Sequence, residues 1–122
     1  MSQSVTFETV NPNPNHDTVK DVKPEEVLTK KENVLVVDVR RPDEWEGELG
    51  HIQGATHIVL DELPQRVEDL PRDQTIVFVC RSGGRSGQAS AFAQENGIMD
   101  VYNMEGGMLR WNELGFETEG KS

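Results

Sequence analysis

The chain has 122 residues, a formal net charge of −10 and hydrophobic residues at 34% of its positions. This length fits one compact domain with its own core, while a protein this acidic repels phosphate backbones, which argues against a nucleic-acid partner. No apolar run approaches membrane-spanning length and no signal-peptide pattern begins the chain, so we expect no membrane partner and a cytoplasmic location, where a lone cysteine stays reduced.

The two ends of the chain are polar. Residues 1–17 contain the run NPNPN and little that could be buried, and residues 117–122 are similarly polar. Such segments lack the apolar surface needed to offset the entropy lost on ordering. We therefore expect a flexible extension over 1–17, a folded domain over 18–116 and a polar tail over 117–122.

From residue 18 onward the predicted elements alternate between strands and helices. A short strand over 18–22 precedes a helix that begins at Pro24, behind the poor cap residue Lys23. Residues 34–39, with the sequence VLVVDV, predict a strand buried on both faces because apolar and polar residues do not alternate. A loop with one helical turn over 42–50 follows.

The second half of the chain continues this alternation. Its predicted elements are a strand over 56–60, a helix over 61–70, a doubly buried strand over 75–80, a helix over 86–96, a strand over 100–103 and a helix over 109–114. Strands alternating with helices predict an α/β domain with a parallel sheet and helices on both faces. In such sheets, functional sites form where loops leave the carboxyl ends of the strands.

The only cysteine, Cys80, stands at the end of a predicted strand and begins the loop sequence CRSGGRS. Taken alone, a cysteine in this position is most often a buried structural residue. Gly83 and Gly84, however, permit a tight turn whose amides form an anion-binding nest at the start of the next helix. Arg81 and Arg85 add positive charges, so we expect the pKa of Cys80 to lie below its ordinary value of about 8.5.

Acidic residues are absent from this part of the chain. Residues 74–94 contain no Asp or Glu, although 22 of the 122 residues are acidic. A buried strand and a packed helix face explain part of this gap. They do not explain two arginines within five residues of the sole cysteine, so the pattern favours a reactive thiolate.

A thiolate in an amide cradle attacks either phosphorus or a sulfane sulfur. Cysteine phosphatases place five residues between cysteine and arginine, which leaves room for a phosphoryl group, whereas four residues separate Cys80 from Arg85. The tighter loop fits one extra sulfur atom better. The alternatives are a phosphatase or arsenate reductase on the same fold, and a sulfur carrier or binding module without turnover of free substrates.

Three motifs in succession resemble those of single-domain rhodaneses, a family of sulfurtransferases. The motifs are VVDVRRPDEWEGELGHIQGATHI, VFVCRSGGRS and MEGGMLRWNELGF, and the resemblance spans residues 18–116. It implies a rhodanese-like three-layer α/β/α fold with a central parallel sheet of about five strands. It also implies a catalytic Cys80 whose persulfide is held by the loop Arg81, Ser82, Gly83, Gly84 and Arg85.

Together, the residues and the resemblance predict transfer of a sulfane sulfur through a Cys80 persulfide. The donor is expected to be a small anion such as thiosulfate, drawn in by the loop arginines, and the acceptor cyanide, a thiol or a protein thiol. Ser86 and Asp38 are expected to support the site, Asp38 as a proton acceptor or, more simply, as a partner of Arg40. No cofactor or metal is expected, and the default assembly is a monomer.

Other chemically distinctive residues have structural interpretations. His51 and His57 lack the further ligands of a metal site, so we expect the first to fix a loop by hydrogen bonding and the second to be a strand residue. Trp45 and Trp111 are expected to serve in packing. Arg40 is expected to lie on the surface.

Overall fold

The computed structural model describes residues 5–120 and contains six strands and five helices in that range. The strands are β1 (Val10–Pro12), β2 (Lys20–Val22), β3 (Leu35–Asp38), β4 (Thr56–His57), β5 (Ile76–Val79) and β6 (Val101–Met104). The helices are α1 (Pro24–Lys30), α2 (Pro42–Trp45), α3 (Leu63–Arg66), α4 (Gly84–Glu95) and α5 (Gly107–Glu113). None of these helices has the length and apolar character needed to cross a membrane.

All six strands form one sheet in the order β1-β2-β6-β5-β3-β4. The four neighbouring pairs β2·β6, β6·β5, β5·β3 and β3·β4 are parallel, while β1 runs antiparallel to β2 at one edge. The five-stranded parallel sheet expected from the sequence is therefore present, with β1 as an addition. Because β5 lies between β6 and β3, the residue after it leaves the sheet at a carboxyl end flanked by two neighbouring strands.

The central strand β5 contributes to a core on each face of the sheet. Ile76, Phe78 and Cys80 belong to one core, and Val77 and Val79 belong to the other. The first core includes Leu63, Ala89 and Ala93 from α3 and α4, and the second includes Val27, Met108 and Trp111 from α1 and α5. Helices thus cover both faces, which explains why this strand is apolar without alternation.

The helix predicted over 61–70 is interrupted. A 3₁₀ turn over Leu60–Glu62 precedes α3, and another over Val67–Asp69 follows it. Pro64 lies in the first turn of α3, where a missing N–H is tolerated, but it cannot continue a helix that began at residue 61. The strand predicted over 56–60 is likewise shorter and is confined to β4.

Part of the N-terminal segment packs against the domain. Phe7 is 6% exposed, and its ring meets Tyr102 edge-on with centroids 4.9 Å apart. The backbone that follows donates hydrogen bonds to Glu26 before it enters β1. Composition does not predict this strand, because its own residues are exposed and the segment's apolar contacts come from Phe7 and the partly buried Val5. The flexibility expected for residues 1–17 stays a prediction, and residues 1–4 lie outside the described range.

The described part of the polar tail also contacts the domain. Trp111 Nε1 donates to the Glu117 carbonyl oxygen at 2.9 Å. The backbones of His51 and Glu119 exchange two hydrogen bonds, each of 2.9 Å. The Glu119 side chain also contacts the domain, with Oε1 3.4 Å from His51 Nε2. The tail is therefore attached by backbone hydrogen bonds and one polar side-chain contact, and neither kind of contact is indicated by apolar residues in the sequence.

Candidate active site

Cys80 follows β5 directly and is 1% exposed. Its sulfur accepts a hydrogen bond from the Gly83 amide at 3.0 Å and lies 3.2 Å from the hydroxyl oxygen of Ser86. The backbone of Gly83 has a φ of 112°, in the left-handed region that favours glycine. This conformation turns the chain back, so that the loop curls around the sulfur.

Several amides of the loop remain available to an anion. Because α4 begins at Gly84, the first amides of this helix have no partner within it. In residues 5–120, no protein acceptor is present for the amides of Arg81, Ser82, Gly84, Arg85 and Ser86. A group of unpaired donors beside a helix N-terminus favours negative charge on the neighbouring sulfur or on an atom bound to it.

The start of α5 holds the loop from its other side. The amide of Met108 donates to the Cys80 carbonyl oxygen at 2.8 Å, and that of Leu109 donates to the Arg81 carbonyl oxygen at 3.0 Å. Gly107 has a φ of 57°, and a Cβ atom there would lie 2.5 Å from both carbonyl oxygens. Only glycine allows this approach, which accounts for one residue of the Gly-Gly pair in the third motif.

Arg85 is engaged by a carboxylate that sequence analysis missed. Its two terminal nitrogens bind the two oxygens of Glu44 at 2.7 and 2.8 Å. Hydrogen bonds from Arg85 lower the pKa of Glu44 from 4.5 to about 2, although burial acts in the opposite direction. The same hydrogen bonds raise the pKa of Arg85, helped by the nearby Cys80 and Asp38. Arg85 therefore braces the loop against α2, and its role as an anion anchor stays a prediction.

Asp38 and Arg40 form a buried ion pair. Arg40 Nη2 lies 2.8 Å from Asp38 Oδ2, and each side chain is 1% exposed. The guanidinium also donates to the carbonyl oxygens of Gly50 at 2.7 Å and Glu44 at 3.3 Å. The expectation that Arg40 lies on the surface is wrong, because a paired and hydrogen-bonded arginine is tolerated inside. Asp38 is the partner of Arg40, which is the simpler of the two roles expected for it.

The aromatic and histidine side chains form a stack beside this pair. Trp45 lies between His51 and His57, with ring centroids 3.6 and 4.5 Å apart. His51 Nδ1 is 2.9 Å from the Trp45 carbonyl oxygen, and His57 lies in β4, as expected for each. Trp111 is fully buried. Within the described range, no group of three or more potential metal ligands occurs.

Ser86 connects the sulfur to a chain of polar side chains that the sequence did not reveal. Its hydroxyl also makes a hydrogen bond with Asn103 Oδ1, whose amide nitrogen donates to Asp21 Oδ1 at 2.9 Å. Asn13 donates to the same Asp21 oxygen at 2.9 Å. These side chains come from α4, β6, β2 and the N-terminal segment, so no local pattern could have linked them to Cys80.

A cleft of about 170 Å³ lies beside the loop. It is lined by Arg40, Asp43, Glu44, Gly47, Glu48, Leu49 and Arg81. Arg81 is exposed, whereas Arg85 is half-buried and paired. Of the two loop arginines, Arg81 is therefore the one open to a ligand that arrives from solvent.

Comparisons with known proteins identify the family of this chain. The profile of the family described as "Rhodanese-like domain" matches residues 23–114. "Sulfurtransferase" from Allochromatium vinosum is 38% identical over 88 residues, which cover 72% of this chain and 80% of that protein. "Thiosulfate sulfurtransferase GlpE" from Pseudomonas aeruginosa is 33% identical over 99 residues, which cover 80% of this chain and 88% of that protein.

A solved structure has the same architecture. The crystal structure of a rhodanese-related protein from Thermoplasma volcanium superposes with a TM-score of 0.73 at 27% sequence identity. The match covers 80% of this chain and 94% of that one. Since the family profile spans most of the chain and both named relatives align over most of their length, this protein belongs to the family of rhodanese-like domains.

Proposed function

We propose that this protein is a sulfurtransferase that carries a sulfane sulfur as a persulfide on Cys80. The observation that carries the proposal is the environment of the sulfur, which accepts the Gly83 amide at 3.0 Å beside loop amides that have no protein acceptor in residues 5–120. Donors that are already fixed around a site of developing negative charge stabilise that charge without reorganisation. The names of the related sulfurtransferases support the same activity.

The reaction proceeds in two balanced steps. The Cys80 thiolate attacks the outer sulfur of thiosulfate, a sulfur–sulfur bond forms, and the bond to the sulfonate sulfur breaks to release sulfite. The persulfide keeps one negative charge, which the loop amides hold. Cyanide or a thiolate then attacks the outer sulfur, forming thiocyanate or a new persulfide and returning Cys80 as a thiolate.

The proposed partners are a small anionic donor and a thiol acceptor. Exposed Arg81 supports an anionic donor such as thiosulfate, since it adds a full positive charge at the edge of the cleft. The acceptor in the cell is a small thiol or a protein thiol, and the protein works as a monomer in the cytoplasm, where a free cysteine stays reduced. The chemistry needs no metal or organic cofactor.

Sulfur fits this loop better than phosphate does. Four residues separate Cys80 from Arg85, and Cys80 is 1% exposed. Arg85 is also bound to Glu44 through both terminal nitrogens, which leaves fewer donors for the three outer oxygens of a phosphoryl group. We therefore expect no hydrolysis of an aryl phosphate by this protein.

The proposal is tested by mass spectrometry after incubation with thiosulfate. The peptide that contains Cys80 should gain the mass of one sulfur atom, lose it on addition of cyanide, and release thiocyanate in equal amount. Cys80→Ser should fold normally and form neither product. An unmodified peptide, or turnover of thiosulfate by Cys80→Ser, would refute the mechanism, and hydrolysis of an aryl phosphate would favour the phosphatase alternative.

A further inference from the structure

The Ser86 hydroxyl carries one proton but has two neighbours that can accept it. Its oxygen lies 3.2 Å from the Cys80 sulfur and also makes a hydrogen bond with Asn103 Oδ1. Ser86, Cys80 and Asn103 are 0%, 1% and 2% exposed, so bulk water does not reach this contact. The direction in which the hydroxyl points therefore decides whether the Cys80 sulfur or Asn103 Oδ1 accepts its hydrogen bond.

Asp21 determines the orientation of Asn103. A carboxylate oxygen only accepts hydrogen bonds, so the side of the Asn103 amide that lies 2.9 Å from Asp21 Oδ1 is its NH₂ group. Asn13 donates to the same oxygen at 2.9 Å, as expected for a carboxylate. Turning the amide over would place two acceptors against each other. The carbonyl oxygen of Asn103 consequently faces Ser86 and requires a donor there.

We propose that Asp21 and Asn103 are positioning residues that make the Ser86 hydroxyl donate its hydrogen bond to Asn103. Ser86 then meets the Cys80 sulfur with a lone pair, and it accepts the proton of the neutral thiol instead of donating to the thiolate. To support the thiolate, Ser86 must turn towards the sulfur, which leaves Asn103 Oδ1 buried without a donor. The Gly83 amide favours negative charge on the Cys80 sulfur, whereas Ser86 in this orientation disfavours that charge.

The hydrogen-bonded side chains of Asp21 and Asn103 orient the Ser86 hydroxyl and do not conduct protons. An amide group has no proton to release from its oxygen side, so a proton accepted by Ser86 cannot pass through Asn103 to Asp21. The effect is to lower the fraction of Cys80 that is ionised before a donor arrives, which protects the sole thiol from unspecific electrophiles. This inference rests on the proposed function only in taking Cys80 as the reactive group.

The single cysteine permits a direct spectroscopic test. A thiolate absorbs near 240 nm, and the signal of Cys80 is obtained by subtracting the spectrum of the matching Cys80→Ser protein. In Asn103→Leu the Ser86 proton is free to turn to the sulfur. We expect the thiolate absorbance at pH 7 to rise about threefold, and the rate of alkylation by iodoacetamide to rise in proportion. No rise in absorbance would overturn the proposal.

A double-mutant cycle separates this effect from loosening of the structure. Without the Ser86 hydroxyl, Asn103 cannot act on Cys80 through this hydrogen bond. Ser86→Ala and Ser86→Ala/Asn103→Leu should therefore have the same thiolate absorbance and alkylation rate. If Asn103→Leu raises both signals equally in the Ser86→Ala background, the residue acts through accessibility and the proposal is wrong.

Two further variants complete the test. Asn96→Leu removes an amide that donates to the Phe92 carbonyl oxygen at the far end of α4, and its thiolate absorbance should equal that of the wild type. Asp21→Asn, which lets the amide of Asn103 turn over, replaces Asn103→Leu if the latter does not fold and should raise the absorbance in the same direction. Failure of the proposed function appears separately, as absence of the persulfide from the wild-type protein.

Discussion

At the scale of the residue, the ion pair between Glu44 and Arg85 joins the loop that follows Cys80 to α2. Its side chains are 15% and 32% exposed, and both oxygens of the carboxylate are bound. The pair between Glu68 and Arg72 is much more exposed, at 76% and 49%. Bidentate geometry and partial burial make the first pair the stronger one, since water and salt screen the second.

Glu44→Gln is expected to lower stability in a pH-dependent way. The pKa of Glu44 is about 2 in the folded protein, below its ordinary value of 4.5. A lowered pKa contributes stability that is present above pH 4.5 and is lost as the pH falls towards 2. We expect the variant to be less stable by about 1–2 kcal/mol at pH 7, and the difference to shrink at pH 3. Urea unfolding at pH 7, 5 and 3 measures it.

Glu68→Gln provides the matched control. It removes the same charge from an exposed pair and should change stability by less than about 0.5 kcal/mol at pH 7. Glu26, whose pKa is also lowered to about 2, contributes equally to the wild type and to the variant, so it cancels from the comparison. A gap between wild type and Glu44→Gln that does not vary with pH would contradict the assignment.

At the scale of the element, the loop that follows Cys80 is held between the starts of two helices. The sulfur accepts a hydrogen bond from Gly83, just before α4, and the backbone of Cys80 and Arg81 accepts hydrogen bonds from the start of α5. Gly107 makes the second contact possible by its close approach to the loop carbonyl groups. The geometry of the site therefore depends on α5, although no side chain of that helix is placed in the chemistry.

Gly107→Ala is expected to displace the loop. Its methyl group would lie 2.5 Å from two carbonyl oxygens, and backbone atoms cannot yield as a flexible side chain can. The loss of stability should exceed about 2 kcal/mol, and persulfide formation should fall with it. Thermal unfolding and the thiosulfate assay measure the two effects.

Gly115→Ala tests whether the contact is responsible. Gly115 also has a positive φ, of 76°, but a Cβ atom there would meet nothing within 4 Å. Only the backbone strain applies, so this variant should lose about 1 kcal/mol and retain its persulfide chemistry. Equal losses in the two variants would mean that strain, and not contact with the loop, explains the effect of Gly107→Ala.

At the scale of the whole molecule, the sheet extends beyond its parallel strands into the N-terminal segment. β1 adds an antiparallel edge strand, and Phe7 joins the core shared with α1 and α5. Asn13, from the same segment, binds the Asp21 carboxylate at the end of the polar chain that reaches Ser86. A segment whose composition predicts an extension thus contacts both the core and the surroundings of the site.

Phe7→Ala is expected to lower stability by about 3 kcal/mol, because it removes an aromatic ring that is 6% exposed. Met99→Ala, at a side chain that is 66% exposed, is the control and should be nearly neutral. Urea unfolding of both variants measures the difference. If Phe7→Ala is as stable as Met99→Ala, the N-terminal segment is not packed in solution.

Local patterns in the sequence were sufficient for the α/β class and the parallel sheet. Buried strands have no alternation and glycine marks tight turns, so the central strands of the parallel sheet and the long helix after Cys80 could be identified from neighbouring residues. The edge strand β1 and the interruption of the helix expected over 61–70 could not. Cys80 and its loop could be proposed as the candidate site for the same reason, since the glycines and arginines stand within five positions of Cys80.

Contacts between distant segments were decided by the tertiary structure alone. Glu44 and Arg85 are 41 positions apart, and Asp21 and Asn103 are 82 positions apart. Arg40 is buried only because the fold brings a carboxylate and two carbonyl groups around it. Pairing of this kind depends on which chain segments meet in three dimensions, and hydrophobic periodicity carries no information about the polar partner that a buried side chain will find.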